Sequence, residues 1–175
     1  MGLLVRRAEP QDAPAVARVH TASWRHAYRG LLPQEYLDAL SVEARTKTWA
    51  KAFSQVPGQA LTNLVAELDG QIIGFACVGP SRDDDDADTA TCELWGLYLD
   101  PEHWGAGHGH TLHTEALDVA RASGAAAATL WVLTNNQRAR HFYERQGWAA
   151  DGAEKTVWRG DVRLDETRYR ISLRA

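Results

Sequence analysis

The 175-residue sequence predicts one α/β domain with a mixed central β-sheet flanked by helices, spanning residues 1–175. Three observations predict it. The apolar period switches repeatedly between helical and strand spacing. Residues 91–133 read as strand, helix, strand, a unit that needs a right-handed crossover and parallel strands. Asp69-Gly70, between two apolar runs, is a strong hairpin signal and implies antiparallel neighbours. Composition agrees, with 45% hydrophobic and 24% charged residues. No uninterrupted apolar run reaches the length of about 18 residues that a membrane span needs, and the N-terminus lacks a signal peptide's apolar stretch. A net charge of −4 argues against a general nucleic-acid binder. Cys77 and Cys92 sit in apolar strand-like runs and read as reduced thiols, with a structural disulfide as the alternative. The expectation is a cytoplasmic protein without a membrane or nucleic-acid partner. Arginine outnumbers lysine 16 to 3, which reads as a GC-rich bacterial genome.

The elements follow in order. "LLVRRAEP" is a short strand, and Pro and Asp open the helix that follows it. In that helix Val16, Val19, His20, Ser23, Trp24 and Ala27 share one face, and Gly30 stops it. "PQEYLDALSVEARTKTWAKAF" is helical with a break near Ser41, a good N-cap. Two strands surround Asp69-Gly70, and the acidic stretch "SRDDDDADTA" reads as a solvated loop, with an attractor for cationic acceptors as its sharper reading. "TCELWGLYLDP" is a strand closed by Pro101, Gly107 to about Ser123 a helix, and "AAATLWVL" a strand. "NNQRARHFYERQ" is a helix stopped by Gly147, and "TVWRGDVRLDETRYRISL" a final strand pair.

Glycines at 105, 107 and 109 stand where a strand gives way to a helix. Bare backbone running into a helix N-terminus aims several N–H groups at one point, beside the positive end of the helix dipole. That arrangement suits phosphate. Walker A is excluded because His110 and Thr111, not Lys and Ser/Thr, follow Gly109. The dinucleotide fingerprint is excluded because His110 stands where its third glycine belongs and the region around Thr129 is apolar. The pattern Gln/Arg-x-x-Gly-x-Gly/Ala, a pyrophosphate cradle, matches at Gly107 and Gly109, whereas Trp104 stands in place of Gln or Arg. A flexible glycine-rich turn is the plain alternative.

The flanks extend the match. "LWGLYLDPEHWGAGHGHTLHTEAL" resembles the central motif of the GNAT superfamily of N-acetyltransferases. "LWVLTNNQRARHFYERQGW" resembles a second motif of that family, with Asn136, Ala139, Phe142, Tyr143, Gly147 and Trp148 in its spacing. The resemblance implies the family fold, with acetyl-CoA in the splay between two parallel central strands, and acetyl transfer to an amine. By position it places pantetheine against the backbone of Leu97, Tyr98 and Leu99, and pyrophosphate on the amides of Trp104, Gly105, Ala106, Gly107, His108 and Gly109, helped by His110. It makes Asn136 the anchor of the pantetheine arm, Tyr143 the general acid for the leaving thiolate, and Glu93 the general base. Trp24, Tyr28 and Arg29 lie where the family builds its acceptor wall. The expected acceptor is a small-molecule amine, an antibiotic among them; a protein N-terminus or lysine, and a non-catalytic CoA-binding module, are the alternatives. A homodimer is compatible with this reading.

Each assignment has a plain counterpart. Glu93 also reads as a strand-end charge, Tyr143 and Trp24 as core aromatics, and Asn136 as an ordinary helix cap. Strand alternation puts Glu93 on the same face as Leu97 and Leu99. His103, His108, His110 and His113 lack HExxH spacing or a suitably placed carboxylate or thiolate, so no metal is expected.

Overall fold

Asp69 and Gly70 adopt φ of 51° and 81°, the doubly positive turn that matches strand twist, and the chain folds back on itself there. The computed structural model describes residues 2–54, 61–86 and 90–174. Around that hairpin the described strands form one seven-stranded sheet in the order β1-β2-β3-β4-β5-β7-β6. The strands are β1 (Leu4–Arg7), β2 (Thr62–Leu68), β3 (Gln71–Pro80), β4 (Thr91–Leu99), β5 (Ala127–Leu133), β6 (Ala149–Arg159) and β7 (Val162–Ser172). The helices are α1 (Ala13–Ala27), α2 (Gln34–Asp38), α3 (Val42–Phe53), α4 (His108–Ala122) and α5 (Gln137–Arg145). The break expected at Ser41 separates α2 from α3, and its hydroxyl accepts from Ala44 N at 3.1 Å. None of the described helices is long and apolar enough to cross a membrane.

β3 is buried from Ile72 to Gly79 because helices cover both of its faces, which is why its sequence is continuously apolar and does not alternate. On one face α4 sets Leu112, Ala116, Leu117 and Ala120 against Ile73, Ala76, Val78 and Leu94. On the other, α1 sets Val16 and Val19 against Val65, Ile72, Phe75 and Cys77. Cys77 and Cys92 are both free thiols.

Two irregularities position everything that follows. β4 and β5 are the parallel pair, but their register covers only Thr91↔Ala127, Cys92↔Ala128 and Glu93↔Thr129; beyond it the strands part. The second is a bulge. Opposite β3 the partners run Cys77↔Gly96 and then Val78↔Leu94, leaving Trp95 as the extra residue. One inserted residue reverses the alternation. Leu94, Leu97 and Leu99 face α4, whereas Glu93 pairs with Gly79 and Tyr98 with Phe75 on the α1 face. The face expected for Glu93 from strict alternation is therefore wrong: it lies across the sheet from Leu97 and Leu99.

The acidic loop is also not as expected. Arg168, 6% exposed, pairs with Asp83 at 3.3 Å, Asp85 at 2.7 Å and Asp151 at 2.8 Å. Arg170 holds Asp86 at 2.8 Å, and Trp131 Nε1 donates to Asp83. These carboxylates are tied across β7, and neither a free solvated loop nor a surface attractor describes them; residues 87–89 of the stretch lie outside the described residues.

Candidate active site

The splay of β4 from β5 leaves two clefts that meet at Leu97, Tyr98, Ala139 and Tyr143. The first, about 470 Å³, runs between the end of β4, the glycine loop and α5. Trp104, Gly105, Gly107, Gly109, His110, Asn136, Arg138, Phe142 and Arg145 are part of its wall. Gly105 and Gly107 have φ of +83° and +86°, and a Cβ on either would meet no atom within 4 Å. Any side chain there is strained and would project into open space beside the cleft. Gly107 caps α4, so the loop sits at a helix N-terminus. Gly109 differs: a Cβ there would touch Phe142 at 3.6 Å, so its smallness serves the packing of α4 on α5.

Leu97, Tyr98 and Leu99 line this cleft on the edge of β4 that β5 no longer covers. The Leu99 carbonyl already accepts from Ser23 Oγ at 2.6 Å and Trp104 Nε1 at 2.9 Å. Trp104 thus fastens the loop to the strand. Over its ring, 3.3 Å from the centroid, lies the Arg138 guanidinium, which has no ion pair among the described residues. His110 shares a 2.6 Å hydrogen bond with Gln146 Oε1. Asn136 Oδ1 accepts from Ala139 N at 3.2 Å, so the cap role holds, while the side chain still borders the cleft. Ala106 and His108 do not line it, and the His108 ring lies near His103, 6.3 Å between centroids.

Tyr143 borders both clefts and is 8% exposed. Burial, with Tyr98 nearby, pushes its phenol well above the usual tyrosine range, so it holds its proton at neutral pH.

The second cleft, about 350 Å³, lies on the α1 face between β4, β5 and the β6–β7 hairpin. Trp24 and Tyr28 line it as expected; Arg29 does not, since α1 ends at Ala27 and the chain turns away through an Arg29–Leu32 bridge. Glu93 lines it at 1% exposure. Both carboxylate oxygens are held by Arg82: its backbone N donates to Oε2 at 3.0 Å, its Nε reaches both oxygens, and its Nη2 donates to Oε1. Arg82 in turn lies over the Trp95 ring, 4.3 Å from the centroid. From β6 come Lys155 and Arg159, from β7 Glu166, and from β5 Trp131. Sequence reading missed these residues. The Trp95-Gly96 pair was the one local sign of the bulge, since glycine inside a strand marks such sites.

Comparison with known proteins agrees with this geometry. The acetyltransferase (GNAT) family model matches residues 19–148. A Mycobacterium tuberculosis protein named "probable N-acetyltransferase" is 29% identical over 171 residues, covering 95% of this chain and 92% of its own. An uncharacterized N-acetyltransferase of Archaeoglobus fulgidus is 31% identical over 142 residues, 81% of this chain and 90% of its own. The crystal structure of PaiA N-acetyltransferase from Thermoplasma acidophilum, in complex with coenzyme A, superposes with a TM-score of 0.80 at 21% identity, over 98% of this chain and 99% of that one. With the model matched across both motifs and the splayed strands in place, the chain belongs to the GNAT family of acetyltransferases.

Proposed function

We propose that the protein transfers an acetyl group from acetyl-CoA to a primary amine, with the donor in the first cleft and the acceptor in the second. The observation that carries this is the junction of the two clefts at Leu97, Tyr98, Ala139 and Tyr143, beside the gap between β4 and β5. The open glycine cradle fits a pyrophosphate, and the apolar stretch from Leu97 to Phe142 fits a pantetheine arm. PaiA, whose fold this chain shares, carries coenzyme A in its structure. When bound, the donor supplies an activated thioester. Tyr143, still protonated, gives its proton to the departing thiolate, and a carboxylate of the second cleft, which holds both Glu93 and Glu166, removes the proton that keeps the ammonium from attacking. A cleft of about 350 Å³ matches a small-molecule amine.

Thiol release from acetyl-CoA, measured against benzylamine, spermidine, free amino acids and a peptide with a free N-terminus, tests this reading. We expect release with at least one small amine, and a melting temperature raised by CoA through RT ln(1+[L]/Kd). A folded protein whose melting temperature millimolar CoA leaves unmoved, and which releases no thiol, would refute it. Stabilisation by CoA without turnover on any amine would instead favour a CoA-binding module.

A further inference from the structure

Glu93 and Glu166 are both in the second cleft, but only one has free lone pairs. Glu93 is almost fully buried, and Arg82 grips it with a backbone N–H and a side-chain fork. Taking a proton there would break a bond to Arg82 and leave its half-exposed guanidinium facing a neutral acid. Glu166 is built differently. Its carboxylate makes no hydrogen bond among the described residues, its closest cation is Lys155 Nζ at 3.8 Å, and its side chain is 21% exposed. Lys155 is held off by Trp131, whose ring centroid lies 3.9 Å from Nζ. The register Leu133↔Glu166↔Lys155 sets Glu166 on the acceptor face, beside the strand that has parted from β4.

We propose that Glu166, on β7, is the group that takes the proton from the acceptor ammonium, while Glu93 fixes Arg82 and so shapes the pocket; this rests on the acetyl-transfer reading above. Every charged or titratable group facing Glu166 is consistent. From β6 come Lys155 and Arg159, from the β3–β4 connection Arg82, from β4 Glu93, and from the end of α1 Tyr28. Burial raises the proton affinity of Glu166 and Lys155 opposes the rise, which brings a carboxylate closer to the affinity that a general base needs near neutral pH. The step balances. One ammonium proton passes to a Glu166 oxygen and then to water; the nitrogen lone pair forms the C–N bond as the C–S bond breaks. The thiolate takes the Tyr143 proton, and the second proton leaving nitrogen returns Tyr143 to the phenol. The products are the amide, the free thiol and one proton.

The test is the pH profile of kcat/KM for acetyl transfer, using the small amine that gives the fastest thiol release with the parent. Glu166→Gln should cost about 10²–10⁴-fold at neutral pH, abolish the acidic limb, and recover as pH approaches the amine's own pKa, with KM for acetyl-CoA unchanged. Glu166→Asp should keep the limb at reduced rate. Lys155→Gln should keep the carboxylate active but move the limb to higher pH, because the carboxylate loses its cation. Glu93→Gln should lower the rate with the limb in place. Stabilisation by CoA reports that each variant is folded; should Glu166→Gln fail there, Glu166→Asp and Lys155→Gln decide alone. Glu166→Gln within about twofold of the parent, or reduced equally at every pH, overturns the proposal. So does a Lys155→Gln profile that copies Glu166→Gln, which would mark the pair as a cross-strand brace, or loss of the limb in Glu93→Gln. A parent without thiol release on any amine overturns the acetyl-transfer reading itself, and this proposal with it.

Discussion

The two clefts meet at Leu97, Tyr98, Ala139 and Tyr143 but are built in different ways. The cleft proposed for the donor is assembled mostly from two stretches, the end of β4 with the loop and α4 N-terminus that follow it, and α5, with Ser23 and Ala27 of α1 at its side. At its glycine loop it presents the bare backbone of Gly105 and Gly107. The acceptor cleft is assembled from distant segments, α1, the β3–β4 connection, β5 and the β6–β7 hairpin, and its polar groups are charged side chains held in pairs. A backbone cradle tolerates almost any side chain around it, provided nothing fills it. A pocket of charged side chains changes with every substitution, so the same fold can keep its donor and exchange its acceptor.

The largest effect should come from filling the cradle. Gly107→Val must hold φ near +86°, which β-branched residues avoid, and would project into the open space over the loop. We expect stabilisation by CoA to vanish while the apo protein still melts cooperatively. Retained CoA stabilisation would show that the donor cleft does not depend on bare backbone, and the contrast between the clefts would fall.

Tyr143→Phe addresses the junction. Only the phenolic hydroxyl is lost, so CoA binding should persist while kcat drops by about 10²–10⁴-fold. A kcat within twofold of the parent would make Tyr143 packing alone, one more ring against Phe142 and Trp148.

How much of each region the sequence made legible follows from the same difference. The glycine loop, the capping asparagine and Tyr143 were all readable, because each signal spans only a few residues. The seven strands were readable too, through Asp69-Gly70, Pro101 and Gly147, although β6 begins at Ala149, ahead of the stretch its apolar pattern marked. The face of Glu93 was misread because alternation carries no memory of an inserted residue, and Trp95 reads locally as one more strand position. The carboxylates of Asp83, Asp85 and Asp86 looked solvated because Arg168 and Arg170, which pair with them, lie more than 80 positions away. Glu166 and Lys155 had no local signal at all. They meet only when β7 lies between β5 and β6.

Acid should separate the regions by a third route. His113 on α4 is 3% exposed, accepts from Trp148 Nε1 at 2.8 Å, and has no hydrogen-bond partner for Nδ1 among the described residues. Burial lowers its pKa from 6.5 to about 4. The folded value lies below the unfolded one, so the unfolded chain binds more protons, and stability falls as pH drops from about 6.5 to about 4. The loss is about 3 kcal/mol at most. In melting curves across that window, His113→Gln, which keeps an acceptor for Trp148, should show a shallower fall than the parent. His20, also pushed down by burial to about 3, leaves some slope in both. Parallel curves would mean that His113 does not link acid to the α4–α5 contact.

The smallest expected effect sharpens the claim that the donor cleft relies on backbone. Trp104 stands where the family pattern has Gln or Arg, and Arg138 lies over its ring with no carboxylate to neutralise it. Stacking fixes the guanidinium beside the glycine loop, and burial alone lowers its pKa. A cation held there on α5 would offer the loop the charge that an arginine at position 104 would carry. Because Arg138 is largely exposed, its attraction to a diphosphate is screened, and Arg138→Ala should weaken CoA by only about 1 kcal/mol, roughly fivefold in Kd. The difference should shrink with added salt, and acetyl-pantetheine, which lacks the diphosphate, should not distinguish the variant from the parent. Arg138→Lys should recover part of the charge effect but not the flat stack on Trp104. An equal loss for acetyl-pantetheine would mean that Arg138 supports the loop mechanically through Trp104. A Kd for CoA raised a hundredfold would place the main pyrophosphate contact on a side chain, and the backbone account of the donor cleft would have to give way.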